Sequence, residues 1–351
     1  MKKVYDIKIK DLEEILKQLK ENMYDSTTMM DAIRLEYYIK RIKNKFRPTD
    51  DISVFEQLQD DLECHSFYKP LYPFIERFIF TGRTVDELNS SMKYQSVIFT
   101  DEQVVADVME FYGHQGTLFH SQLLDYYDEL EYHLKFINTV ADTDGESLFL
   151  KSIGEAFVFV PNHSNVTKFT ILIHELQHVI DFFINPSFSE EFVIRETIAM
   201  FMEMLACDYI AKKYNLYSEG FKRQQYLHAI LKYNAHNVMY KTDILDIAEE
   251  HKGLNEAELN SLLNKEGFDC DDLNFYFEQG IVSEVSYQIS YLIAIELYMI
   301  YYKDKELALK ICEDIIKYGT SDNILELLDK YGIKLNSNVV NYENKIYKKR
   351  Y

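Results

Sequence analysis

The chain has 351 residues, 47% of them apolar and 27% charged, the balance of a globular protein with room for one large core or two closely joined ones. Its 58 acidic against 38 basic side chains leave a formal charge of −20, which repels phosphate backbones and anionic bilayers and argues against nucleic acid or membrane as partners. Only 11 glycines and 5 prolines punctuate it, so a mainly α fold is expected.

The N-terminal residues Met1-Lys2-Lys3-Val4-Tyr5-Asp6 carry charge where a secretory segment would be apolar, which points to a cytoplasmic protein. The cysteines Cys64, Cys207, Cys270 and Cys312 are far apart and form no CxxC pair. That pattern fits free thiols in a reducing compartment rather than a disulfide framework or a cysteine zinc site.

Apolar residues at three- and four-residue intervals predict helices over Leu12–Leu19 and Met29–Phe46, followed by a stop and N-cap at Arg47-Pro48-Thr49-Asp50. Further helical patterns cover Val54–Leu62, Leu71–Phe80, Val85–Ile98, Glu102–Tyr112 and Phe119–Ile137. His65, His114, His120 and His133 lack ligand spacing and read as surface or cap residues. The segment Val140–Gly145 is the best seam, dividing a helical part, 1–145, from a chemical part, 146–351.

Just past the seam, Gly154–Pro161 carries β-branched and aromatic residues between Gly and Pro, the clearest strand in the chain. An exposed strand edge here would pair with the backbone of an extended peptide, although a strand merely closing a small sheet fits equally well.

Thr170–Phe183 is an apolar segment with no Gly or Pro until Pro186, hence a buried helix, and inside it stands His174-Glu175-Leu176-Gln177-His178. Histidines four apart share one helical face and converge on one ion, while Glu175 reaches a water beside it. This is the HExxH arrangement, two zinc ligands and a general base. A third ligand must come from elsewhere. A second helical pattern runs from about Glu190 to Tyr209 and holds Glu196 and Glu203, seven apart and nearly on one face. If the chain turns at Pro186 and returns antiparallel at about 1.5 Å per residue, Glu196 comes level with the histidines and Glu203 lies about 10 Å further on unless the second helix starts late; Glu203 would then orient a histidine from behind.

These residues resemble a known family. Gly154–Pro161, the following Asn162–Thr170 and the His-Glu-Leu-x-His run are similar to the active-site segment of the oligoendopeptidase F and thimet oligopeptidase family of zinc peptidases. Phe192–Glu203 resembles that family's second zinc helix, where a ligand glutamate is followed seven residues later by another. The resemblance implies a large helical zincin-type fold with a small β-sheet edge before the HExxH helix, and one Zn2+ held by His174, His178 and Glu196. It also implies Glu175 as base and Glu203 as support. Ser286–Tyr291 leading into Leu297-Tyr298 looks like the family's tyrosine-rich segment, making Tyr287 and Tyr291 the candidates for the hydroxyl that faces the oxyanion. The chain departs from the family's pattern in five ways: Gln177 stands where Gly is usual, Asp181 where a His is common, the interval from His178 to Glu196 is short, the chain is much shorter than typical members, and no histidine lies just upstream of Tyr287.

The sequence therefore leads to a zinc-dependent endopeptidase acting on short peptides. Two other readings compete with it. A relative that keeps metal and groove but has lost turnover would act as a zinc-containing peptide-binding or regulatory protein. A helical interaction protein with an accidental motif would bind no metal. The apolar stretch Val285–Tyr302, interrupted by Gln288 and Glu296, reads as a core helix rather than a membrane span.

Overall fold

The structure, a computed structural model, describes residues 7–44, 54–83, 99–127, 130–137, 145–162, 166–191, 193–251, 253–268 and 280–347. The first helices are α1 (Ile9–Glu21), α2 (Ser26–Asn44), α3 (Val54–Tyr68), α4 (Tyr72–Phe80) and α5 (Asp101–Gly113). Thr100 caps α5 by accepting from the Gln103 N–H. The expected stop at Arg47–Asp50, the helix over Val85–Ile98 and Cys270 lie outside the described residues.

The single helix expected over Phe119–Ile137 is instead α6 (Thr117–Tyr127), the short α7 (Leu130–His133) and a strand, β1 (Leu134–Ile137). Leu134–Ile137 keeps helix-compatible spacing in sequence, but pairing with a distant strand overrides it. β2 (Glu146–Leu150) and β3 (Glu155–Pro161) complete a three-stranded sheet in the order β1-β3-β2. β3 pairs parallel with β1, Leu134 opposite Val158, and antiparallel with β2, Ser147 opposite Val158. β3, expected as an edge able to take a peptide, is thus the central strand with both edges occupied; among the described residues β1 and β2 are the outer strands, and of the two it is β2 that lines the cleft described below.

The alternation in β3 explains its continuous apolar run. Ala156, Val158 and Val160 point into the main core, whereas Phe157 and Phe159 join Leu12, Leu35 and Ile39 of α1 and α2 in a second core on the other face. Both faces are covered, so neither needs polar residues.

Next comes α8 (Val166–Ile184), buried nearly all round because the sheet packs on one side and α9 (Thr197–Tyr214) on the other, with α5 and α6 behind. The second site helix starts later than expected from the Glu190 pattern: Phe188–Glu190 forms a single 3-10 turn, and Glu196 is the N-cap residue of α9 rather than an interior one. Behind α9 pack the long α10 (Tyr217–Glu250) and α12 (Ile281–Tyr301), with α11 (Glu256–Glu266) between them in sequence. The chain closes with α13 (Lys305–Tyr318), α14 (Ile324–Lys330) and α15 (Val339–Tyr347).

Among the described residues no helix is long and apolar enough to cross a membrane, and α12 is a core helix as its composition implies. Cys64, Cys207 and Cys312 are free. His65, expected at the surface, is fully buried between the Tyr72 hydroxyl and Asp246, and His133 is buried against Glu155. Burial required those partners, which come from elements that sequence spacing does not connect.

Candidate metal centre

The middle of α8 presents His174 and His178 one turn apart, and the start of α9 brings Glu196 across to them. His174 Nε2 lies 3.2 Å from His178 Nε2 and 3.2 Å from Glu196 Oε2, and His178 Nε2 lies 3.2 Å from the same Glu196 oxygen. Ligand atoms set 2.0–2.2 Å from a tetrahedral zinc lie roughly 3.3 Å from one another. Two imidazole nitrogens and one carboxylate oxygen at that spacing fit zinc in both chemistry and separation. A second acidic cluster, His65, Asp246 and Glu249, differs: Lys69 Nζ already sits 2.9 Å from Asp246 and 2.7 Å from Glu249 and supplies the positive charge.

Charges around the triad are arranged in layers. Burial pushes the Glu196 carboxyl up, but His178 and His174 outweigh it and hold Glu196 well below the ordinary carboxylate range. Burial likewise opposes charge on His174, and Glu196, Glu203 and Glu175 reverse that, raising it well above the usual imidazole value. Glu203 Oε2 stands 3.3 Å from His174 Nδ1, the nitrogen turned away from the triad. Its other oxygen accepts from Arg223 of α10, at 2.7 Å from Nη2 and 3.2 Å from Nε. Against the cost of burial, Arg223 and His174 hold Glu203 at about 2.

Glu175 faces the cleft from the same turn of α8. Burial raises its carboxyl, and His174, His178 and a hydrogen bond from Ser147 partly offset the rise. The Ser147 hydroxyl, on the outer strand β2, stands 2.7 Å from Glu175 Oε2 and 2.9 Å from its backbone carbonyl. A Cβ at Gly145 would come within 2.6 Å of Glu175 Cγ and 2.8 Å of Oε1, so only glycine leaves room for the carboxylate there.

Two positions that depart from the resembled sequence pattern, Gln177 and Asp181, lie together on the core side of α8. Gln177 points into the core, donating to Asp181 Oδ1 at 2.6 Å and accepting from the Tyr112 hydroxyl at 3.1 Å, which ties α8 to α5. Burial pushes Asp181 up to about 7, opposed by His178 and by the Gln177 hydrogen bond.

A cleft of about 900 Å³ runs over the centre. β2 residues Glu146–Phe149 form one wall; α10, through Arg223, Tyr226, Leu227 and Ile230, and α12, through Glu284, Tyr287, Gln288 and Tyr291, form the other. The two tyrosines differ. Tyr287 is half-buried in the cleft wall, while Tyr291 is 1% exposed with its hydroxyl 3.0 Å from His228 Nδ1. His228 Nε2 is 2.8 Å from Glu343, and burial lowers the imidazole toward its neutral form. A neutral ring that donates to Glu343 from Nε2 accepts at Nδ1, so the Tyr291 proton is directed at His228.

Ser147, Arg223 and His228 are site neighbours that sequence reading did not single out. Each lies on an element remote in sequence from the residue it contacts, and no local motif marks them.

No protein-family model matches this chain, and no curated protein matches it in sequence. Solved structures do. A protein assigned as an oligoendopeptidase F from Bacillus anthracis str. Ames aligns over 93% of this chain at TM-score 0.50 and 13% identity, and PZ peptidase A with an inhibitor aligns over 94% at 0.52 and 11%. A further structure assigned as oligoendopeptidase F aligns over 96% at 0.52 and 12%. The chain spans 63%, 66% and 65% of those three chains respectively. The predominantly helical body with its small sheet beside α8 is thus the oligoendopeptidase F-type fold.

Proposed function

We propose that the protein is a zinc-dependent endopeptidase of short peptides, with His174, His178 and Glu196 as zinc ligands and Glu175 as general base. The observation that carries this reading is the 3.2 Å triangle of donor atoms with a buried carboxylate beside it, at the floor of a cleft. When bound, zinc supplies Lewis-acid polarisation of a carbonyl and of water.

The chain's own residues do the rest. An extended peptide adds to the side of β2 turned from β3, where every second residue of the strand offers its backbone N–H and C=O. Glu175 takes the proton of the attacking water at a carboxylate oxygen and returns it to the leaving amine. Its elevated affinity for the proton suits both halves of that transfer. Tyr287 is the better placed hydroxyl for the developing oxyanion, since Tyr291 donates to His228. A cleft of about 900 Å³ takes an unfolded segment rather than a folded protein. The buried free thiols Cys207 and Cys312 suit the reducing cytoplasm.

Turnover of a quenched-fluorescence peptide library tests the reading. Hydrolysis should vanish with chelator and return with zinc, and elemental analysis should find one zinc per chain. A protein without zinc after reconstitution would refute the metal assignment. The commitment of Tyr291 to His228 and the absence of a histidine just upstream of Tyr287 favour one alternative, a peptide-binding protein without turnover; binding without cleavage would select it.

A further inference from the structure

The cleft face of α12 is a stripe of Glu284, Tyr287, Gln288 and Tyr291, at the i, i+3, i+4, i+7 spacing of one helical side. Gln288 is the anomaly on it. The residue is 0% exposed, and neither its Nε2 nor its Oε1 has a hydrogen-bond partner. Leaving both ends of a carboxamide unpaired in a protein interior is costly, and buried side-chain amides are overwhelmingly hydrogen-bonded. An apolar residue of the same length would fill the space without that penalty.

The cleft itself suggests what completes the amide. A strand has two edges, and a peptide laid along β2 satisfies only the backbone groups on one of them. Groups on its other edge face the helical wall, which over Leu227, Ile230 and Leu231 offers them nothing. A carboxamide carries one acceptor and a donor pair, the complement of a peptide group's N–H and C=O.

We propose that Gln288 is a substrate-binding residue whose carboxamide pairs with a backbone peptide group of the bound substrate on the edge turned away from β2. The assignment rests on the peptidase reading of the cleft and adds to it a recognition element that ignores side-chain identity. Gln288 holds the main chain; α10 meets the side chains.

The test exploits a trade between stability and binding. In the metal-free full-length protein, Gln288→Met removes an unpaired amide and should raise the melting temperature by about 2 °C, with Gln288→Leu as a second variant. In the Glu175→Gln background, which should not hydrolyse, the dissociation constant for a fluorescein-labelled octapeptide library should weaken about tenfold on adding Gln288→Met. In the zinc-loaded enzyme KM should rise by a similar factor with kcat within about threefold, the signature of lost uniform binding. A fall in melting temperature for both variants would show that the amide is satisfied within the fold and overturn the assignment. So would an unchanged dissociation constant when the parent binds the library. If the parent binds no peptide at all, the peptidase reading itself fails, and the assignment with it.

Discussion

His174 Nδ1 and Glu203 Oε2 approach to 3.3 Å, so the imidazole that offers Nε2 to the ligand triangle is held from behind by a carboxylate. Arg223 pins that carboxylate in turn. A held imidazole presents one tautomer and one ring orientation to a metal, and partners of this kind typically contribute 10- to 100-fold in affinity. Glu203→Ala should therefore weaken zinc binding by roughly 10- to 100-fold, whereas His174→Ala, His178→Ala or Glu196→Ala should each abolish it, because two protein ligands hold zinc poorly. Competition with a fluorescent zinc chelator ranks the four variants. Zinc lost from Glu203→Ala but retained by Glu196→Ala would reverse the roles of the two glutamates.

Glu175 separates binding from chemistry. Its carboxylate is cradled by Ser147 and Gly145 rather than by the ligand triangle, so Glu175→Gln should keep zinc and fold normally while losing at least ~100-fold in kcat. Gly145→Ala should lose turnover as well, because the added Cβ occupies the space of the Glu175 side chain. Elemental analysis beside a peptide assay checks both variants, and activity surviving Glu175→Gln would place hydrolysis elsewhere.

Much of this site was legible in the sequence because its signals are local. His174, Glu175 and His178 fall within little more than one turn of an apolar helix, and Glu196 follows from counting residues around an antiparallel return at Pro186. What was illegible is non-local. Glu146–Leu150 has no β-branched residue to announce a strand, and Leu134–Ile137 continues the helical spacing of Phe119; only pairing with β3 decides either segment. α9 begins at Thr197 rather than at about Glu190 because the preceding residues make a 3-10 turn and a further turn before Glu196 caps it. Arg223 and His228 sit on α10, a helix packed on several sides and so without one apolar face to read.

The start of α12 should respond to pH. Asp61 of α3 accepts the Ile281 N–H at 3.0 and 3.1 Å, capping the helix that carries Tyr287, and burial at 1% exposure pushes its carboxyl up from 3.8 to about 6. A raised acid binds its proton more tightly folded than unfolded. Its stabilising contribution is thus complete below about 4 and is lost as pH rises through about 6. Asp61→Asn keeps an acceptor for the cap and removes the charge. Relative to the parent, its melting temperature should climb steadily between pH 4 and pH 7. A difference that stays flat across that range would mean that Asp61 does not titrate there.

The tyrosines of α12 can be told apart by what each hydroxyl now does. An oxyanion donor acts mainly in the transition state, so removing it lowers kcat with little change in KM, by about 10²–10³. Tyr287 lies half-buried in the cleft wall, where a hydroxyl can meet the developing charge, and Tyr287→Phe should show that loss of kcat. Tyr291 instead donates to His228, which is held by Glu343 of α15. Tyr291→Phe strands a buried imidazole nitrogen and should cost stability by about 1–3 kcal/mol. Its kcat should fall far less than that of Tyr287→Phe if the hydroxyl stays committed to His228. Measuring kcat, KM and melting temperature for both variants resolves the assignment. The reverse pattern, with kcat lost in Tyr291→Phe and kept in Tyr287→Phe, would require the Tyr291 hydroxyl to leave His228 and turn into the cleft when substrate binds. Full kcat in both would remove the tyrosines from catalysis altogether.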